Sequence, residues 1–203
     1  MFDDTYLTIE DRAEGVYKEK GSKFISLAFP ITTQEEIKEI VKDIKKEYFD
    51  AHHHCYAYIL GHDKSVFRMN DDGEPSSTAG KPIYGQLLSK DLTNILVVVV
   101  RYFGGTKLGV SGLIQAYKQA SIDVLDNAKI IERTIDEVYG VSFNYSLMND
   151  VMKILKEYDV QQRNHRFEND CYLEFVIRKR DSKKITEQLN FIDGILLNLI
   201  GII

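Results

Sequence analysis

A chain of 203 residues is sized for one large domain or two small ones. Its 44% hydrophobic and 28% charged residues form an ordinary globular mixture, able to bury a core without disulfide staples. With 26 basic against 31 acidic residues the formal charge is −5, which argues against a nucleic-acid coat over the whole surface but leaves room for a local basic patch.

The acidic start MFDDTYLTIEDRAEG has no basic region followed by an apolar stretch, so no secretory leader is expected. The segment YLTIEDRAEGVYKEKGSKFISLAFPI is rich in aromatic and β-branched residues and predicts two or three short strands. Thr33 followed by Glu36 is a capping-box pair. Behind it Ile37, Ile40, Val41, Ile44 and Tyr48 repeat at helical spacing, with lysine and glutamate on the outer face. CYAYILG and SVFRMN read as a strand pair joined through GHDK. DDGEPSSTAGKP is turn-rich, and a candidate helix start at Thr78–Lys81, near Pro82, leads through Leu87 and Leu88.

ILVVVV at 95–100 is a β-branched run that suits a strand covered on both faces. It is far too short to cross a bilayer. RYFGGTKLGVSG is a glycine-rich turn, and LIQAYKQASIDVLDNA a helix with Leu113, Ala116, Tyr117, Ala120, Val124 and Leu125 on one side. A boundary is expected near 133–136, giving domains 1–133 and 134–203, with no Gly/Ser/Pro linker and both halves slightly acidic. Beyond it, VYGVSFNY is a strand and SLMNDVMKILKEYDV a helix that Ser146 would cap. VQQRNHRFEND and CYLEFVIRKR are strands about Asn169–Asp170, DSKKITEQLNF is a helix and GILLNLIGII a last strand. That order is the ferredoxin-like βαββαβ unit.

Three stretches carry chemistry. At RYFGGTKLGVSGL a strand ends, glycines follow and a helix begins, so free backbone N–H groups and the helix dipole favour an anion. Gly104, Gly105, Gly109 and Gly112 allow close approach, and Arg101 and Lys107 add charge-assisted bonds to a phosphate. The spacing matches no nucleotide-binding fingerprint, so a turn shaped only for helix–sheet packing stays open. At NDDGEPSSTAGKP, Asp71, Asp72 and Glu74 are turn or cap formers, a partner contact or Mg²⁺ ligands. At HHHC, His53 and Cys55 share one strand face, which leaves a zinc site two ligands short and a nucleophile pair without an orienting group.

Cys55 and Cys171 are too few and too far apart for a disulfide framework, which points to reduced thiols in the cytoplasm. In the second half Arg163, Arg166, Arg178, Lys179, Arg180, Lys183 and Lys184 are interleaved with acids. This is a solvated hairpin, or an RNA-stacking surface if Tyr172 and Phe175 share the open sheet face.

KGSKFI, HHHCYAY, NDDGEPSSTAGKPI and NILVVVVRYFGGTKLGVSGLIQAY resemble the IMPACT / YigZ family, in order and along the whole chain. The resemblance implies an α+β protein of two domains. The first is similar to ribosomal-protein-S-five domain two, a sheet with helices on one side; the second is similar to the ferredoxin-like domain V of elongation factor G. The family pattern falls on Ser22, Lys23, Phe24, His53, Cys55, Asp72, Gly73, Glu74, Pro75, Thr78, Gly80, Arg101, Tyr102, Gly104, Gly105, Gly109, Gly112 and Tyr117. Ser77 and Ser111 stand where the family often has glycine, and Gln115 where a basic residue is frequent.

Eukaryotic members resemble translation regulators that restrain the amino-acid-starvation kinase by binding its activator. The implied function is a non-enzymatic, cytoplasmic binding protein linked to translation regulation. RNA, the ribosome or a translation factor would be the partner, with no membrane and no DNA-reading motif. Its site would comprise Asp72, Gly73, Glu74, Pro75, Thr78, Lys81, Arg101, Tyr102, Gly104, Gly105, Lys107, Gly109 and Gly112, with no cofactor, no metal and no catalytic residue. The alternative is a phosphate-handling or hydrolytic enzyme using Asp72 or Glu74.

Overall fold

The computed structural model describes residues 4–203. Met1–Asp3, the first part of the acidic N-terminal stretch, lie outside the described residues. The fold is α+β, in two compact units: residues 6–133, and residues 134–203 with Asp4 and Thr5.

The larger unit runs β1 (Thr5–Ile9), β2 (Ala13–Glu19), β3 (Ser22–Pro30), α1 (Gln34–Glu47), β4 (His53–Leu60), β5 (Val66–Asn70), α2 (Gly80–Ser89), β6 (Ile95–Tyr102), α3 (Gly109–Asn127) and β7 (Ile130–Thr134). Strands β1 and β7 pair as a ribbon, and the others form one sheet in the order β2-β3-β6-β4-β5. All its neighbours are antiparallel. The central strand β6 is buried on both faces, as its unbroken apolar run implies. Ile95, Val97 and Val99 join α2 and α3 with Phe24, Cys55 and Tyr117. Leu96, Val98 and Val100 join Ile37 and Ile44 of α1 on the other face. The expectation of helices on one side only is therefore corrected. A strand with two apolar faces needs cover on both, and α1 supplies the second.

Local signals hold where their partners are near in sequence. Thr33 and Glu36 make the reciprocal capping box of α1, with the Glu36 amide donating to Thr33 Oγ1 at 3.2 Å. Helix α3 begins at Gly109, four residues before the expected Leu113, so Gly109 and Gly112 belong to its first turn.

The smaller unit runs β8 (Asp136–Asn144), a short 3₁₀ turn, α4 (Met148–Glu157), β9 (Gln161–Arg166), β10 (Asp170–Arg178), α5 (Lys179–Asn190) and β11 (Leu196–Ile202). Its sheet order, β11-β8-β10-β9, is that of the ferredoxin-like unit. Asn144, not Ser146, caps the turn before α4: its side chain accepts from the Ser146 amide at 3.1 Å. Phe175 is fully buried among Val151, Leu155 and Ile185, stacked on Tyr139, so it is withdrawn from the RNA-stacking surface posited with Tyr172. Most of the basic stretch is engaged: Arg163 pairs with Glu174, Arg166 lies over Tyr172, and Arg178 pairs with Asp4. Among the described residues no helix is long and apolar enough to cross a membrane.

Candidate functional site

The acidic hairpin closes through a tight turn. Asp72 and Gly73 both lie at positive φ (41° and 87°), and the Glu74 amide donates to the Asp71 carbonyl at 2.9 Å. Two central residues at positive φ are the I′ pattern that Asp-Gly favours. The turn aims its three carboxylates in different directions. Asp71 accepts from the amides of Ser77 (2.9 Å), Ala79 (3.0 Å) and Gly80 (2.8 Å). It thereby caps α2, whose own N-cap position, Ala79, has no side-chain acceptor. The expected starter Thr78 instead donates to the Pro75 carbonyl at 2.6 Å.

Asp72 accepts from Lys45 Nζ and from the His54 amide, each at 2.7 Å. Burial works against its charge, but Lys45 and the amide outweigh it and hold the carboxyl below the ordinary aspartate range. Glu74 turns inward, where Oε1 accepts from Arg101 Nη1 at 2.6 Å and the Tyr117 hydroxyl at 2.8 Å. All three carboxylates accept from protein donors, Glu74 through Oε1 alone. They do not converge, and no group of three or more metal-ligating side chains occurs among the described residues.

Arg101 is buried with its partner: the two side chains are 7% and 3% exposed. Its guanidinium lies over the rings of Phe24 and Phe103 at 5.6 and 5.7 Å, and its Nε has no hydrogen-bond partner among the described residues. His53 and Cys55 do share this face. His53 Nδ1 lies 2.9 Å from the Asp72 carbonyl, and Cys55 Sγ lies 3.3 Å from the Tyr117 hydroxyl. Burial pushes the Cys55 thiol and the Tyr117 phenol well above their ordinary ranges, so both stay protonated.

The glycine-rich loop is different in kind. Gly104 presses on the preceding hairpin: a Cβ there would run into the Gly21 carbonyl and the Ser22 amide. Its own amide donates to Ser22 Oγ at 3.2 Å. Gly105 and Gly109 lie at positive φ (85° and 72°) with open space in front of them. Among the described residues the amides of Gly105, Thr106, Lys107 and Leu108 have no hydrogen-bond partner. Helix α3 starts without a side-chain cap and without an acid in its first turn. Lys107 is exposed and has no ion-pair partner among the described residues. The positive end of the helix thus faces solvent unneutralised.

The fold therefore buries Glu74 with Arg101, leaves Asp72 partly exposed on Lys45 and the His54 amide, and places Gly104, Gly105, Lys107, Gly109 and Gly112 in one loop and helix start. Tyr102 points to the opposite sheet face, where its hydroxyl donates to Asp50 at 2.8 Å. Gly73 and Pro75 form the exposed crest of the acidic turn, Thr78 is buried, and Lys81 lies exposed on α2. The cap made by Asp71 is among the roles expected of the acidic cluster, whereas sequence reasoning missed the reach of Lys45 and the hydroxyl of Tyr117. Only Tyr117 gave a signal, as a phenol on an apolar helix face that needs a partner.

The model of the Impact N-terminal domain matches residues 20–125. The IMPACT family member YvyE of Bacillus subtilis is 30% identical over 183 residues, covering 90% of this chain and 84% of that protein. The IMPACT family member YigZ of Escherichia coli is 34% identical over 142 residues, covering 69% of this chain and 70% of that protein. A crystal structure described only as that of a hypothetical protein is 28% identical, covers 98% of both chains and superposes with a TM-score of 0.76.

Proposed function

This chain belongs to the IMPACT family, and from that premise we propose that it is a non-enzymatic binding protein of the translation apparatus that grips a phosphate of RNA with the loop before α3. One observation carries the reading: among the described residues four consecutive amides, Gly105 to Leu108, and the ammonium of Lys107 have no partner beside an uncapped helix start. An anion is the ligand that free amides at a helix start take. The acidic turn supports the loop from behind. Its carboxylates hold Arg101, α1 and α2 in place, and its exposed crest at Gly73 and Pro75 is a second contact for the same partner. The setting is cytoplasmic. The translational link rests on the likeness of the sequence motifs to the family's eukaryotic regulators.

The test is binding of ribosomes or ribosomal RNA as a function of salt. Affinity should fall steeply as salt rises, and Lys107→Ala should lower the slope of log affinity against log salt by about one. Absence of binding at low salt removes the reading. An unchanged slope in Lys107→Ala moves the contact elsewhere.

A further inference from the structure

Helix α1 leaves part of its sheet face uncovered. Between the helix and β4–β5 runs a groove of about 590 Å³, walled by Lys38, Lys42, Lys45, Lys46 and Arg68 over Tyr56 and Tyr58. Five of those side chains are cationic and none is acidic. The arrangement follows from two periodicities. Lys38, Lys42, Lys45 and Lys46 recur at helical spacing, so they stand in one row along the wall. On the strands, Tyr56 pairs with Asn70 and Tyr58 with Arg68, which sets Arg68 on the sheet side of the groove, across from that row. From Gln34 to Lys46 the wall is about 18 Å long.

Some of this charge is balanced at the rim: Lys38, Lys46 and Lys45 pair with Glu35, Asp43 and Asp72. The Lys38 and Lys46 pairs are exposed, hold weakly and yield to a competing anion, whereas Lys45 stays committed to the partly buried Asp72. Lys42 and Arg68 have no ion-pair partner among the described residues. Tyr56 and Tyr58 form an aromatic floor; Tyr58 is nearly closed off and Tyr56 is half-buried. In a chain of net charge −5 this is a local concentration of positive charge over aromatic rings.

We propose that the α1–β5 groove is a binding site for single-stranded nucleic acid, with Lys42 and Arg68 on successive phosphates and a base against Tyr56. A basic track with aromatic side chains is the combination by which proteins hold unpaired strands. An acidic peptide would use the cations but has no use for the aromatic floor. The site lies on the opposite sheet face from Arg101 and Tyr117, and it does not depend on the loop before α3.

The experiment measures a short fluorescent oligouridylate and a DNA oligomer of matching sequence against the full chain, between about 50 and 200 mM salt. The variants are Lys42→Glu/Arg68→Glu, Tyr56→Leu and Lys107→Ala, each checked for an unchanged thermal midpoint. The charge-reversed double variant should bind at least about tenfold more weakly, with its salt slope reduced by about two. Tyr56→Leu should lose roughly tenfold with its slope unchanged, since stacking releases no counterions. Wild-type affinity in the folded double variant overturns the proposal, as does displacement by oligoglutamate as effective as by unlabelled RNA. Loss confined to Lys107→Ala supports the loop and overturns the groove; loss confined to the groove variants supports the groove and removes the loop.

Discussion

Glu74 and Arg101 meet at 2.6 Å in the interior of the larger unit, the acid from a turn and the base from the end of the central strand. Two charges removed from water are held there only because each neutralises the other and the Tyr117 hydroxyl donates to the same carboxylate oxygen. The pair ties the acidic turn to β6 and α3, the elements that flank the exposed loop.

We expect Glu74→Gln to destabilise the protein by about 3–5 kcal/mol, because it strands the Arg101 charge in the interior. Adding Arg101→Met to Glu74→Gln should cost much less than the sum of the single changes. Urea unfolding of the four proteins in a double-mutant cycle measures the coupling, and simple additivity would refute it.

Asp72 makes stability depend on acid. Its carboxyl titrates below the ordinary aspartate value of 3.8 when folded, so the unfolded chain takes up the proton first. Its contribution is complete above the unfolded pKa and is lost as pH falls through the lower folded one. Asp72→Asn should therefore be less stable than wild type at neutral pH, with the gap closing below about pH 4. Thermal midpoints across that range test the sign; a gap constant down to pH 2 would contradict it. Lys45→Met should reproduce part of the loss.

The glycines of the loop are not equivalent. Gly104→Ala should cost at least about 2–3 kcal/mol, since its Cβ meets backbone that cannot swing aside. Gly105→Ala meets open space and should cost only the left-handed penalty, about 1–2 kcal/mol. Equal losses in chemical denaturation would show that the packing of Gly104 on Gly21 is not what separates them.

Ser77 sits at φ 63° in the acidic loop. Ser77→Gly relieves a left-handed non-glycine residue while keeping the amide that donates to Asp71. A gain of up to about 1 kcal/mol is expected, the relief being partly offset by a freer unfolded chain. A lower midpoint in Ser77→Gly would mean that the serine side chain contributes something its geometry does not reveal.

Sequence alone determined the elements and their faces. The capping box of α1, the two-sided burial of β6 and the βαββαβ order all depend on neighbours a few positions away or on periodicity. Those signals survive in one dimension. Periodicity also marked the lysines of α1 as an outer face, and the glycines before α3 as a place where backbone is exposed. Only the tertiary structure decided the fate of the charges. An ion seeks the nearest opposite charge in space, and Glu74 finds Arg101 across 27 positions, Asp72 finds Lys45 across 27, and Asp71 caps a helix eight and nine positions on. Tyr172 and Phe175, expected together on the open sheet face, stand three positions apart on β10 and so take opposite faces, with Phe175 under the helices. Strand pairing set Arg68 across from the lysine row and made a groove of what the sequence presents as an ordinary solvated helix. The cause is the same in each case: burial and ion pairing are settled by distance through space, which linear spacing does not encode.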